Sequence, residues 1–122
     1  MKTENPFGET IYAYTRKQAI EDGVLVDLSH VDCMRQHWKH HFACTAAVWS
    51  IIEEALKVEG QDVAGICHDI STMAKLATHG AHNTSVVRFE VIVAGAQHAL
   101  KLHVGPGDTP DPVLTLMLPI ED

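Results

Sequence analysis

From Ser85 to Pro119 the chain falls into three runs separated by a tight turn and a Gly/Pro-rich loop. The first two alternate apolar and polar residues with a period of two, and the last, Val113 to Leu118, is mostly apolar. The pattern predicts three antiparallel strands. With Gly95-Ala96 as a two-residue hairpin loop, Val93 faces His98, Val91 faces Leu100, Phe89 faces Leu102 and Val87 faces Val104. Directly opposed residues share a face, so these pairs form one mostly apolar surface. The pairs between them set Glu90 against Lys101, and that match of opposite charges favours this register over a one-residue slip.

Upstream the period changes to that of a helix. Val48, Trp49, Ile52, Ala55 and Leu56 make one apolar face from Ala46 to Glu59, with Thr45 as N-cap and Gly60 as the stop. Asp62 caps the next helix, in which Val63, Ile66, Ile70, Met73 and Ala77 recur at helical spacing before Gly80. Shorter signals predict strands at Ile11–Tyr14 and Val24–Leu28, and a short helix from Val31 to about Lys39. Thr15 is the N-cap of a further short helix, running to Asp22 and closed by Gly23. Laying the two longer helices on the apolar sheet face gives an α+β, two-layer sandwich. Its C-terminal three-stranded antiparallel sheet, with one or two short N-terminal strands, packs against two to three helices.

The 122 residues fit a single domain spanning 1–122, and 46% hydrophobic with 20% charged residues is an ordinary globular balance. No apolar run approaches the roughly 20 residues of a membrane span, and the polar N-terminus has no signal core, so a cytoplasmic location is expected. Nine basic against sixteen acidic residues give a net charge of −7, which argues against direct nucleic-acid binding. Protonating all nine histidines would add nine charges and bring the chain to +2, so its charge is set to change steeply around the ordinary histidine pKa.

Cys33, His37, His40, His41 and Cys44 place five metal-ligand side chains within twelve residues. Along one helix they would extend over about 16 Å, too far to converge on a single ion. A zinc site would therefore take two of them with donors from elsewhere, Cys67 and His68 being the natural ones; the leading candidates are Cys33, His37, His41 and Cys67. The competing and favoured reading is a polar helix face with reduced, buried thiols and no cofactor. Cys67-His68-Asp69 suggests a thiol nucleophile, yet adjacent helical residues point about 100° apart, so Cys67 would need His37 or His41 as its base. Gly105-Pro106-Gly107-Asp108 has the backbone for an anion-binding nest but lacks the Lys and Ser/Thr of a P-loop, and a chain reversal is the simpler reading. Tyr12, Tyr14 and Arg16 are of the types enriched at protein contact surfaces.

The stretches Ile11–Arg16, Gln18–Asp27, Gly60–Asp62, Gly105–Asp108 and Pro112–Asp122 resemble a bacterial family of small proteins classed as a domain of unknown function. Its members are found on plasmids, integrative elements and phage. The Cys33–Cys44 stretch departs from that family's pattern, which weakens the metal reading further. The resemblance implies an accessory protein of a phage or mobile element that binds a host protein, for example to inhibit a bacterial defence system such as CRISPR or restriction. Tyr12, Tyr14, Arg16, Asp22, Asp27 and Asp108 are expected at its working surface. The alternatives are a small metal- or thiol-dependent enzyme and a structural subunit that dimerises through an exposed sheet edge.

Overall fold

A computed structural model describes residues 14–80 and 84–121, together with the backbone of 4–5 and 9–10. The described elements run β1 (Glu4–Asn5), β2 (Glu9–Thr10), α1 (Arg16–Glu21), β3 (Leu25–Asp27), α2 (Asp32–His37), β4 (Phe42–Thr45), α3 (Ala46–Ala55), α4 (Val63–His79), β5 (Val86–Val93), β6 (Ala96–Pro106) and β7 (Pro112–Met117). β1 and β2 form a separate antiparallel pair, and the other five strands make one sheet in the order β3-β4-β7-β6-β5. The fold is α+β.

The helix boundaries follow the caps. Thr15 accepts from the Gln18 amide while the Gln18 side chain accepts from the Thr15 amide, a reciprocal capping box that starts α1. Thr45 and Asp62 each accept the amide three residues on, starting α3 and α4. One face of the sheet presents Phe42, Cys44, Phe89, Val91, Leu100, Leu102, Leu114 and Leu116 to a shared core with Met34 of α2, Val48 and Ile52 of α3, and Ile66 and Ile70 of α4. That is the expected two-layer packing, with three helices on one face.

Three features differ from the sequence expectation. The sheet has five strands and is mixed, because β4 enters its middle, parallel to β7 and antiparallel to β3. Nothing in the alternation predicts β4: Phe42, Ala43 and Cys44 are all buried, so both of its faces are covered and no period of two survives. The hairpin closes on Ala94-Gly95, with φ of 50° and 83°, so Val93 pairs with Ala96. The β5–β6 register is therefore shifted by two residues: Phe89 faces Leu100, Glu90 faces Ala99, and Lys101 faces Arg88 rather than Glu90. A shift of two leaves every side chain on its expected face, which is why apolar patterning cannot detect it. Finally, α1 crosses the reverse face of the sheet, outside the main core. The expected strand at Ile11–Tyr14 lies outside the described residues except for Tyr14, which has no strand assignment.

Candidate functional site

The reverse face is where distant parts of the chain meet. Alternation along β3, β4 and β7 directs Asp27, His41 and Thr115 away from the main core, and α1 lies over them with Ala19 buried. Arg16, the first residue of α1, anchors the helix there. Its Nη1 donates to Thr115 Oγ1 at 2.7 Å, its Nη2 to the Leu114 carbonyl at 2.8 Å, and its Nε to His41 Nδ1 at 3.1 Å. With Nδ1 accepting, the ring proton of His41 sits on Nε2, 3.2 Å from Asp27 Oδ1. Both ring nitrogens are thus engaged, and the Asp27–His41–Arg16 chain holds a helix in place rather than offering a free base.

The Gly105–Asp108 segment completes the clasp. Asp108 Oδ1 accepts from the Arg16 amide at 2.7 Å and Oδ2 from the Lys17 amide at 3.1 Å, satisfying donors that the first turn of α1 leaves unpaired. The loop is tight at Gly107, where a Cβ would lie 2.8 Å from Val113 Cγ1. At the other end of α1, Tyr14 Oη donates to Asp22 Oδ2 at 2.7 Å, and Tyr14 is 50% exposed. Tyr14, Arg16, Asp22, Asp27 and Asp108 therefore cluster on one face around one short helix, while Tyr12 lies outside the described residues. Beside Arg16 and His41 a shallow groove of about 470 Å³ opens between α1 and the Asp108–Thr109 loop. Thr115 and His41 belong to this arrangement although no contact-surface reasoning singled them out; the only sequence signal is a polar residue in the otherwise apolar run Val113–Leu118.

Charge is shaped by this packing. Burial pushes the Arg16 guanidinium down from its ordinary value, against the raising effect of Asp108 and Asp27, and it remains a cation. Burial pushes the Asp27 carboxyl up, but hydrogen bonds from Ser29 and from the His41 ring outweigh it and hold the group below the ordinary carboxylate value. A depressed folded-state value means that Asp27 contributes stability fully present above its unfolded value, about 4, and lost as pH falls through the folded one. Asp27→Asn should accordingly flatten the acid side of the stability profile, with urea unfolding at pH 5 and pH 3 differing less in the variant than in the parent. An unchanged slope would mean that Asp27 makes no net interaction in the fold.

The cysteines and the remaining histidines fall elsewhere. Cys44 and Cys67 are fully buried in the core between sheet and helices, and burial pushes both thiols up to about 12. Cys33 is partly exposed, and burial raises its thiol too. His37 Nδ1 lies 2.6 Å from Ser71 Oγ, which accepts from Trp38 Nε1 at 3.0 Å. Ser71 has no exposed surface, and this pair ties α2 to α4. His41 is on the far side of the sheet from Cys67, so the set Cys33, His37, His41 and Cys67 is not gathered at one point. Among the described residues no group of three or more His, Cys, Asp or Glu side chains is placed to hold a metal ion. Nucleophilic chemistry needs the thiolate, which these environments disfavour. In native protein a thiol reagent should react only with Cys33 at an appreciable rate, and with all three cysteines after denaturation. Rapid native modification of Cys67 would reverse this assignment.

Fold and site together define a small α+β domain whose sheet carries three helices on one face and, on the other, a short helix clasped through one arginine. The chain belongs to the Family of unknown function (DUF6573), whose model matches residues 4–122. No curated protein and no solved structure matches it. Among the described residues no helix is long and apolar enough to cross a membrane.

Proposed function

We propose that this protein is a non-enzymatic binding protein that captures a host protein through the face carrying α1. The observation that carries the reading is the gathering of Tyr14, Arg16, Asp22, Asp27 and Asp108 around one helix, with Tyr14 half exposed and its hydroxyl directed by Asp22. A surface already fixed by internal hydrogen bonds loses little freedom on binding, which favours affinity. The net charge of −7 suits a partner with a basic surface, such as a groove that otherwise holds nucleic acid. The resemblance to proteins of mobile elements gives the setting: the cytoplasm of a bacterial host, with inhibition of a defence system such as CRISPR or restriction as the role.

Arg16, Asp27 and Asp108 hold α1 in place, so substituting them would confound binding with folding. Tyr14→Ala combined with Asp22→Lys alters the exposed end of the face instead. Immobilised parent protein should retain one dominant protein from nuclease-treated bacterial lysate, identified by mass spectrometry, and the double variant should lose it while keeping its Tm. Equal retention by a folded double variant would refute the assignment of this face.

A further inference from the structure

The end of the sheet opposite α1 carries a second surface. β5 is an edge strand of eight residues, whereas the other edge, β3, has three. It contains no proline and no bulge, two of the usual means of blunting an edge, and its two exposed charges, Arg88 and Glu90, are of opposite sign. Its free hydrogen-bonding groups can be assigned. The Val93–Ala96 pair closes a two-residue turn, and the Val104 amide donates to the Ser85 carbonyl at 2.8 Å, so the odd-numbered residues of β5 direct their amides and carbonyls at β6. Arg88, Glu90 and Ile92 therefore direct theirs outward, while the outward amide and carbonyl of Val86 are bonded to Thr84 Oγ1, at 3.3 and 3.0 Å. Beside this edge lies an apolar groove of about 550 Å³, bounded by Thr72 and Met73 of α4 and by Val91 and Ile92. Ile92 and Leu76, one helical turn beyond Thr72, are 63% and 59% exposed.

We propose that the occupant of this edge is a second copy of the chain, joined by antiparallel β5–β5 pairing about a two-fold axis through Phe89. Two constraints select that register. The outward groups must oppose one another, which sets even-numbered residues against even-numbered residues. Among such registers, axes through Arg88 or Glu90 oppose like charges, whereas the axis through Phe89 places Arg88 opposite Glu90 of the second copy and Glu90 opposite its Arg88. The same register sets Val86 against Ile92, covering the most exposed apolar side chain of the strand. Within one chain Arg88 faces Lys101 and, among the described residues, forms no ion pair, so its complementary acid is supplied by the second copy. On the helix side the stripe carrying Met73 and Leu76 of each copy turns toward the seam. Backbone pairing and apolar contact give the affinity, and the exposed ion pairs give the register. The dimer leaves both α1 faces open, so each assembly presents two.

Sedimentation equilibrium tests this, across concentrations bracketing an expected dissociation constant of roughly 1–100 µM. The parent should approach twice 13.4 kDa at the upper end. Arg88→Glu and Glu90→Arg should each raise the dissociation constant at least about tenfold, because each replaces two attractive oppositions by two repulsive ones. Arg88→Glu also sets an acid opposite Lys101, which favours the fold of the single chain. Mixing the two single variants restores complementarity at every opposed pair, so the mixture should dimerise where neither does alone, as should the doubly substituted chain. A parent that stays at 13.4 kDa, a dimer indifferent to Arg88→Glu, or a failure of the mixture to associate would each overturn the proposal.

Discussion

Phe42→Ala is expected to lower stability by about 3–5 kcal/mol in urea unfolding, roughly 10–20 °C in Tm for a domain of this size. Phe42 has no exposed surface, and its ring centroid lies 5.5 Å from that of Trp38. It sits in β4, the strand that joins β3 to the C-terminal meander, so its neighbours are held from several sides and cannot collapse into the space it leaves. Against a total of about 5–15 kcal/mol, the variant would retain little margin. Phe42→Leu fills most of the volume and should cost only about 1–2 kcal/mol. A cost below about 1 kcal/mol for the alanine variant would mean that β4 is not enclosed as described.

Arg16→Ala has the second-largest expected effect, about 2–3 kcal/mol, and its origin is different. No cavity dominates. The change leaves the Thr115 hydroxyl and His41 Nδ1 without their donor beneath α1, removes the side-chain bond to the Leu114 carbonyl, and leaves Asp27 and Asp108 without their cation. Arg16→Lys should recover less than half of the loss, because an ammonium cannot reach three acceptors in the planar fork that a guanidinium provides. A double-mutant cycle with Thr115→Val isolates one of these bonds and should give a coupling of about 1 kcal/mol. At six residues α1 cannot persist by itself, so loss of the anchor should also release it locally. Amide exchange at Ala19 and Ile20 should accelerate in Arg16→Ala before any change in α4. Unaltered exchange there would show that the capping contacts alone hold the helix.

The elements that could be read from the letters are those specified by neighbours in sequence. Thr15 with Gln18, Asp62 with Gly65, and the alternation from Val86 to Val93 all act within a few residues, and each helix start and strand they predict is present. Much of what escaped reading depends on distant partners. β4 is recognisable only beside Leu114 and Leu116, and the fork of Arg16 closes on Thr115, 99 residues away. The hairpin register turned on Ala94, an alanine at positive φ where glycine is the usual signal, and the apparent match of Glu90 to Lys101 was no guide. Both side chains find other partners: Glu90 accepts from Gln97, and Lys101 donates to the Glu121 carbonyl. The contact surface expected from Tyr12, Tyr14, Arg16, Asp22, Asp27 and Asp108 rested on residue type and on family resemblance. Asp108 reaches α1 because the β6–β7 loop folds back to cap that helix, a long-range event that no periodicity encodes.

We propose the α1 face as the working surface, and hydrogen exchange of a complex with a captured host protein tests that proposal most directly. With the host protein bound, amides from Arg16 to Gly23 and in the Gly107–Asp111 loop should exchange more slowly than in the free protein, while α3 is unaffected. Protection confined to α3 or to the β5 edge, with α1 unchanged, would contradict it.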